Sequence, residues 1–224
     1  MGQMNKINST QDKLIDNDLK IRKLPKQSRS KKQVQNIYCA TQNFIENDEI
    51  EISTNKIAKK AGVTIGSLYR YFPNKHSILK SFANYFMSKT INFASKEIDR
   101  VISESTSIDV FFNQIVKSIF NEYKKKELVF SYYYKIKDDH TIINDLILFE
   151  NLCVNIAYEK LTQSKFKIKD KEMLYHACYY CVNTNLFLIR STWIRKKNFP
   201  DFQTDITTLE KLSIKAMLSI SRTL

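Results

Sequence analysis

From Ser30 onward, apolar residues recur every three to four positions: Val34, Ile37, Tyr38, Thr41, Phe44 and Ile45 fall on one stripe. That spacing places side chains on a single face of an α-helix. A shorter stripe, Ile57, Ala58 and Ala61, follows Ser53 and Thr54, either of which can cap a helix start. Gly62 then supplies a sharp turn. Thr64 opens a third, short element with Leu68 and Phe72 one turn apart on its inner face, and Asn74 is placed to cap a fourth helix. The fourth carries Ile78, Leu79, Phe82, Phe86, Ile91 and Ile98 and runs to about Val101, long enough to link two bodies. After the polar break SESTS at 103–107, the same period predicts helices near 107–125, 127–137, 141–163, 170–196 and 204–222. No alternating pattern competes, so the predicted fold class is all-α, with an N-terminal three-helix helix-turn-helix domain followed by a C-terminal helical bundle.

The punctuation supports this. The 224 residues hold three glycines, and two of them, Gly62 and Gly66, lie four apart in AGVTIGSLYRYFPNK (Ala61–Lys75). None follows Gly66, which argues against Gly-rich phosphate or nucleotide loops in the body. Residues 1–27 are polar without a sustained apolar period, and IRKLPKQSRSKK at 21–32 is basic and interrupted by Pro25. They read as a flexible basic arm, either a solvated tail or a contact to DNA backbone or minor groove. The segments expected are therefore the flexible arm 1–27, a helix-turn-helix domain 28–80 and a helical domain 81–224, to which the resemblance described below assigns ligand sensing and dimerisation.

Charge changes the picture further. The chain has 36 Lys/Arg against 23 Asp/Glu, a formal net charge of +13, and its first 80 residues hold 15 of the basic and 7 of the acidic residues. An anionic partner follows, nucleic acid or an anionic membrane surface. No apolar run is long enough to span a bilayer and the start MGQMNKINSTQDK lacks a signal-peptide core, so a cytoplasmic location and no membrane partner are expected. The cysteines Cys39, Cys153, Cys178 and Cys181 sit in helical apolar patterns and read as reduced core thiols. His176 beside Cys178 and Cys181 invites a metal reading, but only His140 and Cys153 lie elsewhere in the body, and a helical CxxC completing an apolar face reads as packing. With no nucleophile elbow, HExxH or Walker motif, no catalytic residue, metal or cofactor is expected and the chain reads as a non-enzyme.

The segment TNKIAKKAGVTIGSLYRYFPNKHSILKSF, Thr54–Phe82, resembles the DNA-binding region of the TetR (tetracycline repressor) family. The residues that carry the resemblance are Ile57-Ala58, Ala61-Gly62-Val63, Gly66-Ser67, Leu68-Tyr69, Tyr71-Phe72 and Lys75. It covers about residues 33–85; the rest is similar only in length and helical character. The resemblance implies a helix-turn-helix whose third helix enters the major groove of double-stranded operator DNA, a small-molecule effector bound by the body, and a homodimer through the last two helices. It also implies a transcription regulator, most often a repressor, released from a palindromic operator when the effector binds.

With Leu68 and Phe72 turned inward, Arg70 and Gly66 fall on the opposite side of the third helix, Ser67 on its flank and Thr64 at its leading end. Ser67 and Thr64 suit permissive base contacts, whereas Arg70 can pair with guanine or hold a phosphate. A glycine inside a helix costs about 1 kcal/mol relative to alanine, so Gly66 implies either close approach to DNA or close packing on the second helix. Ile65 departs from the polar residue often found there in the family and either meets a thymine methyl or turns to the core. By resemblance, Tyr69 and Tyr71 offer hydroxyls to DNA, and Lys75 and Thr54 contribute at the starts of the fourth and second helices. Lys56, Lys59 and Lys60 add non-specific attraction or form a solvated face.

In the body, Leu174, Ala177, Cys178, Cys181, Val182, Asn185, Leu188 and Ile189 form one stripe and Ile206, Leu209, Leu212, Ala216, Met217 and Ile220 another. The resemblance makes the two helices a dimer interface; intramolecular core is the alternative. Aromatics between 111 and 193, among them Phe130, Tyr132, Tyr133, Tyr134, Phe149, Tyr158, Tyr175, Tyr179, Tyr180, Phe187 and Trp193, can line an apolar effector cavity. A non-specific architectural nucleic-acid protein and a helical enzyme are the competing classes.

Overall fold

The computed structural model describes residues 28–47, 52–135, 140–198 and 205–224, and within the helices all side chains except those of 126–135, 140–143, 190 and 193–198. Every regular element among them is an α-helix. They are α1 (Ser28–Glu46), α2 (Thr54–Ala61), α3 (Ile65–Tyr71), α4 (Lys75–Glu104), α5 (Ile108–Lys135), α6 (His140–Thr162), α7 (Lys171–Asn198) and α8 (Ile206–Ser221). The expected arm 1–27 lies outside the described residues. Among those described, no helix is long and apolar enough to cross a membrane.

Two helices differ from the sequence expectation. The segments 107–125 and 127–137 form the single helix α5, because the lysines that interrupt its apolar stripe at 124–126 are good helix formers and no glycine or proline intervenes. α4 continues past Val101 to Glu104, and the Ser105 amide still bonds the Val101 carbonyl at 2.9 Å.

The described residues fall into two compact units, one within Met1–Lys89 and Lys135–Asp145, the other within Thr90–Tyr134 and Leu146–Leu224. The division falls inside α4. In the first unit α1 buries Val34, Ile37, Tyr38, Thr41, Phe44 and Ile45, meeting Ile57, Ala58 and Ala61 of α2, Leu68 of α3 and Ile78, Leu79 and Phe82 of α4 in one core. Tyr38 organises it. Its ring lies 6.1 Å from Phe72, 6.3 Å from Phe82 and stacks on Tyr85 at 4.7 Å, while its hydroxyl shares a 2.5 Å hydrogen bond with Ser81. Burial pushes the phenol up to about 12, so the ring stays neutral.

The second unit is centred on Phe111, Phe112, Val116, Phe120, Leu161 and Leu174, all fully buried. Polar ties fix its helix ends: Lys160 pairs with Asp99 at 2.5 Å, Lys165 donates to the Ser103 carbonyl at 3.0 Å, and Lys124 pairs with Glu210 at 3.0 Å. The inner stripe of α7 is core: Leu174, Ala177, Cys178, Cys181, Asn185 and Ile189 are all buried.

Cys153, Cys178 and Cys181 are buried, which raises all three thiols, Cys153 and Cys181 to about 12, whereas Cys39 is exposed. Iodoacetamide at pH 8 should therefore modify Cys39 rapidly in the folded protein and the other three only after denaturation; mass spectrometry of the peptides checks this. Phe112→Ala should destabilise the second unit by about 3–5 kcal/mol in denaturant melts, through the cavity it leaves.

Candidate nucleic-acid interface

Each turn of the reader is fixed by a local hydrogen bond. Ser53 caps α2, its side chain accepting from the Lys56 amide at 3.2 Å. Gly62 ends α2 in the left-handed region, at φ 65°, with its amide directed to the Ala58 and Lys59 carbonyls. A residue with a Cβ is strained there, which explains the glycine. Thr64 caps α3, accepting from the Ser67 amide at 3.1 Å and donating to the Ser67 hydroxyl at 2.9 Å. Asn74 caps α4 through a 2.8 Å bond from the Ser77 amide, and the Ser77 hydroxyl accepts from the Asn74 amide at 3.3 Å.

Between these caps α3 is anchored by Leu68, Tyr71 and the residue after its end, Phe72, with relative exposures of 0%, 2% and 0%. Thr64, Ile65, Gly66, Tyr69 and Arg70 are exposed and Ser67 is half-buried, all on this seven-residue helix or its cap. Ile65, at 39% exposure, is turned to solvent and not to the core. A Cβ built at Gly66 meets nothing within 4 Å, so packing on α2 gives no reason for a glycine there. The thin spot faces outward.

Tyr69 is 42% exposed and its hydroxyl is 3.1 Å from that of Thr54, so the starts of α2 and the flank of α3 present two hydroxyls side by side. Lys75 is exposed at the first residue of α4, at the positive end of that helix's dipole. Tyr71 is placed differently from the other eight expected residues. Its ring is core, and its hydroxyl donates to Gln33 Oε1 at 3.0 Å while accepting from Arg70 Nη2 at 3.0 Å. The Arg70 guanidinium lies 5.0 Å from the Tyr71 ring centre and donates to Gln33 Oε1 at 3.3 Å.

Gln33 of α1 thus belongs to the same cluster as Arg70 and Tyr71. Sequence reasoning missed it, the available signal being that Gln33 precedes Ile37 by one turn and so flanks the face of α1 that meets its neighbours. Asn36, a further α1 residue, donates to the Ala61 carbonyl at 3.3 Å and steadies the end of α2.

The second unit contains a cavity of about 120 Å³, lined by residues of α4, α5, α6 and α7. Phe93, Phe111, Phe112 and Phe149 form much of its wall, with Glu97, Ser118 and Glu122 as polar members. Of the aromatics singled out in the sequence, Phe149 lines it, and Tyr158, Tyr175, Tyr179, Tyr180 and Phe187 are not among its described lining residues. Phe130, Tyr132, Tyr133, Tyr134 and Trp193 lie outside the described side chains. Cys153, Cys178 and Cys181 also line the cavity, whereas His176 is exposed. Among the described residues no group of three or more His, Cys, Asp or Glu is disposed to hold a metal ion.

Residues 40–82 match the model of a family described as bacterial regulatory proteins, tetR family. An uncharacterized HTH-type transcriptional regulator of Haemophilus influenzae is 26% identical over 117 residues, 52% of this chain and 54% of that protein. The chain thus spans about half the length of the curated relative it matches. Among solved structures, one described as a TetR-family transcriptional regulator from Mesorhizobium loti superposes with a TM-score of 0.65 at 14% identity, over 87% of this chain and 98% of that one. RolR in complex with resorcinol superposes with a TM-score of 0.54 at 13% identity, over 86% and 89%.

Gln33→Ala should remove one of the two hydrogen bonds that hold the Arg70 guanidinium and alter base preference on duplex DNA by several-fold, measured as the ratio of affinities for preferred and scrambled sites. Lys75→Ala, by contrast, should weaken all duplexes about equally and lower the salt slope by about 1. Gly66→Leu should remove sequence-specific binding and leave the unfolding midpoint nearly unchanged, because the protein itself leaves that side open.

Proposed function

We propose that this chain is a TetR-family transcriptional regulator that works as a homodimeric repressor and leaves a palindromic operator when a small molecule enters the cavity of its second unit. The observation that carries the reading is the outward face of α3. Thr64, Gly66, Tyr69 and Arg70 are exposed together, with the half-buried Ser67 beside them, on a helix whose other side is fixed in the core. A helix so presented fits the major groove with its polar side chains at base edges. The hydroxyls of Thr54 and Tyr69, with Lys75 and the start of α4, suit the flanking phosphates.

Two-fold symmetry is supported by the outer face of α7. Tyr175, Tyr179 and Phe187 are exposed, Phe187 at 61%, and Leu212 of α8 is exposed at 55%. Aromatic surface of this size on adjacent packed helices is what an isologous interface would cover. The contact residues are then not the inner stripe that the periodicity displays, which is already buried. Two such heads read inverted half-sites, and the spacing of the half-sites follows from the dimer.

The cavity supports the effector half of the reading, as does the likeness to a fold that holds resorcinol in one solved relative. Release requires that the small molecule bind one conformation of the dimer more tightly than the conformation that fits DNA.

Selection from random duplexes should return an inverted repeat, and light scattering of the purified protein should give a dimer. A Tyr179→Glu, Phe187→Glu double variant should become monomeric and lose operator affinity by at least tenfold while keeping its helical circular dichroism. A selection that returned no preferred sequence would leave only non-specific binding.

A further inference from the structure

The chemistry of the cavity wall is uneven. α6 and α7 contribute only apolar side chains and the thiols of Cys153, Cys178 and Cys181, and burial keeps those thiols protonated. The charged members come from α4 and α5 alone. Both are carboxylates, Glu97 and Glu122, with no Lys, Arg or His among the described lining residues. Ser118 lies one turn before Glu122 on α5 and donates to Glu97 Oε1 at 2.5 Å, so Glu97, Ser118 and Glu122 form one polar seam in a lining that also includes Thr90 and Tyr123.

We propose that this cavity takes an apolar organic amine whose ammonium group is held by Glu97 and Glu122, and that Glu97 is where the ligand reaches α4. The proposal rests on the cavity being the effector site. A carboxylate-ended ligand of the same shape would bring a like charge beside two carboxylates. An ammonium brings three N–H donors to groups that only accept.

Glu97 also has the right position to report the event. It accepts from Arg100 Nη2 at 2.6 Å and Nε at 2.9 Å and from the Ser118 hydroxyl, and these bonds hold its carboxyl below the usual carboxylate range, ionised at neutral pH. The cations that face it, Arg100 and Lys125, are exposed and do not line the cavity. The Ser118 bond is a polar tie between α4 and α5. An ammonium competing for the same oxygen loosens that tie on the helix that begins at Lys75, directly after the reader.

The test uses the full-length protein and three probes that share one body: 4-phenylbutylamine, 4-phenylbutan-1-ol and 4-phenylbutanoate, titrated by calorimetry at pH 7. The amine should bind at least tenfold more tightly than the carboxylate, with the alcohol between them. Glu122→Gln should collapse the difference, and Glu122→Lys should reverse the order, with circular dichroism melts confirming that each variant folds. In Glu97→Gln, the amine needed to release DNA should rise by more than its loss of binding accounts for. A carboxylate that bound as well as the amine, or an order unchanged in Glu122→Lys, would overturn the amine assignment and leave the effector site standing. Failure of all three probes to bind would overturn the effector site itself.

Discussion

A seven-residue helix does not persist alone in water, since nucleation costs more than so few hydrogen bonds return. The outward face of α3 therefore depends on how that helix is held from behind. Leu68, Tyr71 and Phe72 are sealed into a core built around Tyr38, and Thr64 and Gly62 fix where the helix begins. With one side committed to the core, the remaining residues have only solvent to face. Exposure of Thr64, Gly66, Tyr69 and Arg70 is a consequence of that anchoring, and so is their mutual register.

The same anchoring decides what kind of contact each residue can make. Tyr71 spends its ring on the core and its hydroxyl on Gln33 and Arg70, which leaves it as a support under the arginine. Arg70 is laid on the Tyr71 ring by two hydrogen bonds and a cation–π contact. An arginine restrained in this way loses less side-chain freedom on meeting a base or phosphate than a free one. Gly66 works by omission, because nothing in the protein occupies the space its side chain would fill.

In the second unit, one helix serves two purposes on two faces. α7 turns Leu174, Cys178, Cys181 and Ile189 to the interior, where the two cysteines and Ile189 also border the cavity, and leaves Tyr175, Tyr179 and Phe187 outside. Its apolar residues are thus distributed around most of its circumference, and its outer face is apolar surface that the described residues of this chain leave exposed. α4 likewise contributes Ser81 and Phe82 to one unit and Glu97 and Ile98 to the other. Glu97 stands where the polar seam of the cavity meets that continuous helix.

Much of the reader was legible in the chain. The caps Ser53, Thr64 and Asn74, the turn at Gly62 and the buried pair Leu68 and Phe72 all follow from local rules, because capping, left-handed turns and helical period are properties of a few neighbouring residues. The family resemblance in 54–82 is of the same local kind. What the sequence left open were matters of partnership across distance. Gln33 meets Arg70 from 37 positions away, Ile65 had either the core or solvent open to it, and Gly66 had two explanations until its surroundings were known. The inner stripe of α7 has the same period whether it meets its own unit or another copy, and a carboxylate such as Glu97 has no address in sequence that marks it as cavity wall. By itself, then, the sequence determined most of the helices, their caps and the helix-turn-helix pattern, since those are set by short-range backbone chemistry. The tertiary structure alone decided which faces are already satisfied and which remain to be used, because burial belongs to the packed assembly of helices and not to any one of them.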